Sequence, residues 1–337
     1  LTLTVFCGKI EKNRKESGGF MSEQEFLTGK CPKCGEELKV PANLEQFSCL
    51  YCGARLTPEE LVQEPVAAEP IDLQEAVASY DAAVARLVEC VTRYPGYNRK
   101  ITRTEFEPAF AAYQAGCQPI FEQLSRGIEP LAEGQSEKIA AAAERMLDDL
   151  ESAWHASPKW KSKMNQTGIM EDDKIIIAIF TVPLVRYLKL PISEEFAAQL
   201  QKKWVERHPK SPFYLGDYES ISGGFRKKFL GLCFITTAVC EEQGLPDDCA
   251  ELTAFRAFRD GYLRSCPDGE ALIREYYDIA PGIVSCLNVC GDRHENYAAI
   301  RGQYLDACYR DLQAGRLAEC KTRYTAMVRD LERKYLS

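Results

Sequence analysis

Two Cys-x-x-Cys pairs, Cys31/Cys34 and Cys49/Cys52, stand fourteen residues apart in the segment CPKCGEELKVPANLEQFSCLYCGARL. Two residues between cysteines let both thiolates reach one ion while backbone amides point at the sulfurs. The glycine after each pair, Gly35 and Gly53, permits the positive φ that closes such a knuckle. Leu38 and Val40 before Pro41, with Phe47 after it, suit a short hairpin that brings the halves into one tetrahedral site. The spacing therefore predicts a zinc ribbon at about residues 29–57, within a module spanning 21–57. It holds one structural Zn2+, because four thiolates leave no position for water or substrate. A pair of redox dithiols is the competing reading, and the ribbon context of both pairs argues against it.

Beyond the ribbon, TPEELVQEPVAAEP reads as part of a linker over 58–71, and the hydrophobic period then becomes helical. Leu73, Val77, Tyr80, Val84, Leu87 and Val91 step by four and three along one face of a helix that starts near Asp72 and ends at Pro95-Gly96. Phe106, Phe110, Tyr113, Cys117 and Phe121 mark a second helix. Ile139, Ala143, Met146, Leu150 and Trp154 mark a third. Such stripes predict an antiparallel bundle over 72–210; a dimer seam has the same pattern, and bundle core is the plainer reading. The apolar run Ile175 to Leu190 is too short for a bilayer and contains Pro183 and Arg186, so it reads as a buried helix. Pro209 to Tyr218 looks like a second boundary, followed by an all-helical domain over 211–337. There Asp248 and Glu251 have capping-box spacing, Leu252, Phe255, Phe258 and Tyr262 form a buried stripe, and helices follow at 269–278, 281–290, 294–313 and 317–335. The fold class expected is mainly α, with a small β zinc ribbon ahead of two helical parts.

The 337 residues carry a formal net charge of −8, which gives no general attraction to polyanions, and fifteen cysteines, an odd number scattered through a long helical chain. That usage points to a reducing, cytoplasmic setting, with no membrane association. The opening LTLTVFCGKI has neither a basic leader nor a long apolar stretch. Met21 begins a conventional start, MSEQEF, and Gly18-Gly19 codons are able to spell a ribosome-binding sequence just upstream. Residues 1–20 are accordingly expected to be an upstream extension; a tryptic peptide from Lys15 crossing Met21 in the native protein refutes this.

Two resemblances follow from these motifs. The ribbon resembles that of the transcription factor TFIIB and of many bacterial proteins. Residues 30–56 nevertheless carry four basic and three acidic side chains, so a protein-interaction surface is expected ahead of a nucleic-acid reader. In the C-terminal part, CFITTAVC from Cys233, LTAFRAFRDGYL from Leu252 and YYDIAPGIV from Tyr276 resemble the CFI-box C-terminal domain, a bacterial family, over about residues 225–290. Its motifs map onto Cys233, Phe234, Ile235, Thr237, Arg256, Arg259, Asp260, Tyr276, Tyr277 and Pro281. Where many members continue Ala-Ala-Tyr-Gly, this chain has Ala238, Val239, Cys240 and Glu241.

Cys233 and Cys240, seven apart, are expected on one helix face about 10.5 Å apart along the axis. Arg256 or Arg259 facing Cys233 favours its thiolate and makes it a nucleophile; an apolar stretch such as FLGLCFITTAVC more often buries cysteine as a small hydrophobe. Of the three histidines, His155, His208 and His294, only His294 lies in the C-terminal part, so it is the candidate base, with Asp260 as a further charged candidate. A second metal site from Cys240, Cys249, Cys286 and Cys290 is a minor alternative, and Arg226-Lys227-Lys228 and Lys159-Trp160-Lys161 read as solvated charge. The chain thus reads as a zinc-binding adaptor or regulator that binds proteins. A cysteine-dependent hydrolase or transferase centred on Cys233 is the alternative.

Overall fold

A computed structural model of the chain describes residues 26–61 apart from 42 and 45, 73–226 and 233–337; the expected extension over 1–20 lies outside them. The chain divides into two compact units, one up to Pro70 and one from Ile71.

In the first unit, β1 (Phe26–Lys30) pairs antiparallel with β2 (Glu37–Pro41), and β3 (Phe47–Ser48) with β4 (Arg55–Leu56). Each Cys-x-x-Cys is the turn of its own hairpin, in place of the single hairpin expected around Pro41. Strand alternation turns Leu38 and Val40 inward, where Cys31, Cys49, Leu56 and Leu61 complete a small core. The ribbon also runs past residue 57. Pro58–Glu60 forms a 3-10 turn in which the Glu60 carboxylate accepts the Thr57 amide at 2.7 Å, and this delivers Leu61 to the core. The expected linker is thus shortened at its start, and its residues 62–71 lie outside those described.

The second unit is helical. Its first part contains α1 (Leu73–Val84), the single turn α2 (Glu89–Thr92), α3 (Phe106–Ile128), α4 (Gln135–Ala156), α5 (Lys163–Ile176), α6 (Val182–Leu188) and α7 (Ser193–Arg207). The stripes expected on α3 and α4 are buried. That on α1 is shifted: Leu73 and Val77 are exposed, and Ala76, Tyr80 and Ala83 face inward. The reason is close approach, since a Cβ added to Gly127 of α3 would lie 2.6 Å from the Tyr80 amide nitrogen, and only small residues fit that crossing. A π turn, Ile177–Thr181, precedes Pro183 and absorbs the hydrogen bond that proline cannot make. Phe180 on this turn meets Tyr97, Phe106, Phe110 and Tyr113.

The rest contains α8 (Tyr218–Arg226), α9 (Phe234–Glu242), α10 (Ala250–Phe258), α11 (Gly269–Val289), α12 (Arg293–Ile300), α13 (Asp306–Gln313) and α14 (Leu317–Tyr335). The boundary expected at 210/211 does not divide the unit. The segment Pro209 to Tyr218, which reads as a boundary, is a staple: Phe213 is fully buried, the Trp204 indole donates to the Ser211 carbonyl, and the Tyr214 and Gly291 amides donate to the Val289 and Pro212 carbonyls. Phe106 of α3 stacks on Phe225 of α8 at 4.7 Å, so one core runs through both parts.

Two local expectations also give way. α11 continues through Pro281, and beside the proline Gly282 passes the Ile101 carbonyl, which a Cβ would approach to 1.7 Å, while the Asp278 carbonyl accepts the Arg103 amide. The N-cap of α10 is Cys249, with no capping box, since Glu251 is buried against Arg301 at 3.1 Å. Among the described residues no helix is long and apolar enough to cross a membrane.

Candidate metal centre and cysteine pocket

The two knuckles repeat one backbone pattern. Cys31 N–H donates to Glu36 O and Gly35 N–H to Cys31 O; Cys49 N–H donates to Ala54 O and Gly53 N–H to Cys49 O. Gly35 and Gly53 both sit at positive φ, 78° and 72°. These turns bring the four sulfurs within 4.8 Å of one another, with Cys31–Cys52 at 3.8 Å and Cys34–Cys49 at 3.7 Å. A tetrahedral ion bound at about 2.3 Å from each thiolate has sulfur–sulfur edges of about 3.8 Å, so the residues present fit such an ion. Backbone donors from Cys52 and Tyr51 pull the Cys49 thiol down to about 7. At Cys34 the Glu36 amide pulls the same way, but desolvation and the crowded thiols push it up to about 12. That is the imbalance a bound cation removes. Cys31 and Cys49 are buried and Cys34 and Cys52 exposed, so the centre lies at the edge of its module. Among the described residues no second group of three or more ligands converges, and Cys240, Cys249, Cys286 and Cys290 do not assemble into a site.

Cys233 is not on a helix face with Cys240. It is the N-cap of α9, at φ −109° and ψ 77°, because the helix begins only at Phe234. The Arg259 guanidinium, from the π turn that continues α10, donates through Nη1 to Cys233 Sγ at 3.5 Å. Asp260 takes Arg259 Nε and Nη2 at 2.8 and 2.6 Å, and is itself held below the usual carboxylate range by that pair. Arg256 turns away to Asp247, donating to its carbonyl at 2.7 Å. Burial pushes the Cys233 thiol up, against the pull of both arginines, and burial likewise pushes Cys240 up to about 12. His294 lies on α12 with its side chain 79% exposed, beside Glu242, and is not among the residues around Cys233.

A pocket of about 60 Å³ opens beside Cys233 between α10, α11 and α14. The contribution of α14, through Tyr324, Val328 and Arg329, has no signal in the sequence beyond an amphipathic period. Tyr276, one of the residues that the CFI-box resemblance maps, accepts the Ile235 amide at 2.9 Å and ties the start of α9 to α11. No family model matches the chain, no curated protein matches it, and no solved structure matches it.

Proposed function

We propose that the protein is a cytoplasmic zinc-ribbon adaptor or regulator whose ribbon docks on a partner protein. One observation carries this: Leu50 and Tyr51, between the ligands Cys49 and Cys52, are 92% and 66% exposed. A large apolar side chain held out to water by a metal-locked turn is suited to entering a partner's pocket, and a leucine there has no use for a phosphate backbone. The chain's net charge of −8 points the same way. The metal is zinc, since a closed tetrahedral set of four thiolates is its ordinary structural site and leaves nothing open for catalysis. The resemblance to the CFI-box family supports a bacterial setting. The test is a photo-crosslinker at position 50 of the zinc-loaded protein in its native cells. Crosslinking to a defined protein, lost on Tyr51→Asp with zinc content unchanged, supports the reading. Crosslinking only to nucleic acid, or capture unaffected by Tyr51→Asp, overturns it.

A cysteine-dependent enzyme is the second reading, and the Arg259–Cys233 contact favours it. The raised thiol and the remote His294 oppose it. Site-resolved alkylation across pH 5 to 9 separates the two, because a catalytic thiolate labels fast at low pH and a buried thiol does not.

A further inference from the structure

Reversible oxidation needs one thiol that solvent reaches and a second thiol beside it. Three pairs in the helical unit fail the first condition: Cys90 with Cys117, Cys286 with Cys290, and Cys308 with Cys320 are each at most 3% exposed. A fourth pair meets both. Cys240, in the last turn of α9, is fully buried; Cys249, the N-cap of α10, is only half-buried, and its thiol is a hydrogen-bonding neighbour of the Cys240 thiol. The chain between them is a tight return. Leu245 N–H donates to Cys240 O at 2.9 Å, Cys249 N–H donates to Pro246 O at 3.0 Å, and Gly244 turns the backbone at φ 70°. Glu251, two residues beyond Cys249, is buried and near enough for its charge to act on Cys240. Its Oε2 accepts from Arg301 at 3.1 Å, whereas its Oε1 has no hydrogen-bond partner among the described residues. A buried carboxylate oxygen left without a partner is costly, and here the nearby thiol has a proton to give.

We propose that Cys240 and Cys249 are a redox modification site: hydrogen peroxide joins them in a reversible disulfide, with Cys249 the attacking thiol, Cys240 the resolving thiol and Glu251 the acceptor of the Cys240 proton. In the first step the Cys249 sulfur breaks the O–O bond and takes one hydroxyl as a sulfenic acid, and the other oxygen leaves as water with the Cys249 proton. In the second, Cys240 attacks that sulfur and the S–OH bond breaks. The proton that Cys240 gave to Glu251 passes to the departing hydroxide as a second water, and Glu251 is restored. Two thiols are oxidised and one peroxide is reduced to two waters. A dithiol reductant reverses the bond by exchange, so in a reducing setting the disulfide is a transient mark, not a staple. The site is separate from the ribbon surface, and neither reading depends on the other.

The test treats the full-length, zinc-loaded protein with hydrogen peroxide in slight excess and reads each cysteine by mass spectrometry. Trypsin leaves Cys233, Cys240 and Cys249 on one peptide, residues 229–256, and a second cut after Glu242 parts the first two from the third. A Cys240–Cys249 cross-link that dithiothreitol removes should appear, while the three sealed pairs stay reduced at the same exposure. Cys249→Ser should leave Cys240 a thiol. Cys240→Ser should leave Cys249 as a sulfenic acid that dimedone traps. Glu251→Gln should slow cross-linking at least about tenfold while dimedone trapping at Cys249 rises. Should that variant fail to fold, Glu251→Asp, which keeps the charge opposite Arg301 and withdraws the oxygen, should slow the same step. A cross-link that forms no faster than those of the sealed pairs, oxidation of Cys240 that survives Cys249→Ser, or a rate unchanged by the substitution of Glu251 overturns the proposal.

Discussion

The ribbon and the helical unit are both rich in cysteine and use it in opposite ways. In the ribbon four thiols converge on a point, and the buried apolar residues around them, Leu38, Val40, Leu56 and Leu61, are too few to hold a fold. In the helical unit cysteines are buried in the core two at a time, Cys90 beside Cys117, Cys286 beside Cys290 and Cys308 beside Cys320, each at most 3% exposed. Spacing separates the two uses. A thiolate recruited to an ion is fixed by its chain neighbours, whereas a thiol recruited to a core is fixed by whatever helix arrives from elsewhere.

The widest separation between the units should come from the metal. Stripping it, or Cys31→Ser, removes on the order of 10 kcal/mol from the ribbon, which then unfolds. Hydrogen exchange over residues 26–61 should lose its protection while the thermal transition of the helical unit stays where it was. A joint collapse of both would show that they are not energetically separate. In the helical unit the matching injury is Phe180→Ala. It empties the ring cluster of Tyr97, Phe106, Phe110 and Tyr113 and costs about 3–5 kcal/mol by chemical denaturation, with metal content unchanged.

Acid should drive the two units apart. Burial raises the Asp173 carboxyl to about 6, although the Trp154 indole donates to it at 2.6 Å. A carboxyl whose folded value lies above its unfolded one stabilises the fold fully below the unfolded value, near 3.9, and that contribution is lost as pH rises through about 6. The helical unit therefore gains from Asp173 on mild acidification, while the ribbon loses its metal as its thiolates take up protons. Asp173→Asn keeps an acceptor for Trp154 and removes the charge. It should stabilise the helical unit by about 3 kcal/mol at pH 7.5 and by almost nothing at pH 4, read from denaturation midpoints at both. An equal gain at both pH values would mean that the carboxylate is not the cause.

How much of this was legible follows the same division. The ribbon ligands, its glycines and the helical character of the rest are local facts, written in spacing and period. The α1 face departs from its sequence stripe because its inward side is chosen by a partner, Gly127, that sits 47 residues beyond Tyr80. Pro281 is a local helix breaker inside a helix that continues, and Gly282 beside it lies against the distant Ile101 carbonyl. Glu251 left its capping role for Arg301, another distant partner. At the cysteine pocket, Cys233, Arg259 and Asp260 were marked by motif, but their arrangement depends on where α9 begins and on α14, neither of which a single stretch of sequence encodes.

The smallest test uses one substitution, glycine to alanine, in each unit. Gly53 closes the second knuckle at φ 72°, with open space where a Cβ would go, so the only objection to alanine is the left-handed backbone, worth about 1–2 kcal/mol. Gly53→Ala should weaken zinc retention by on the order of tenfold in competition with a chelator. Gly168 also has open space around it but lies inside α5 at an ordinary helical φ, so alanine there removes unfolded-state freedom and should add about 0.5–1 kcal/mol to the helical unit. Neither site has a contact to lose, so the opposite signs isolate backbone conformation from packing. If both substitutions destabilise, the helical unit depends on Gly168 for something other than its backbone. If both are neutral, the ribbon tolerates strain that its four ligands absorb, and the metal holds the knuckle more firmly than the glycine does.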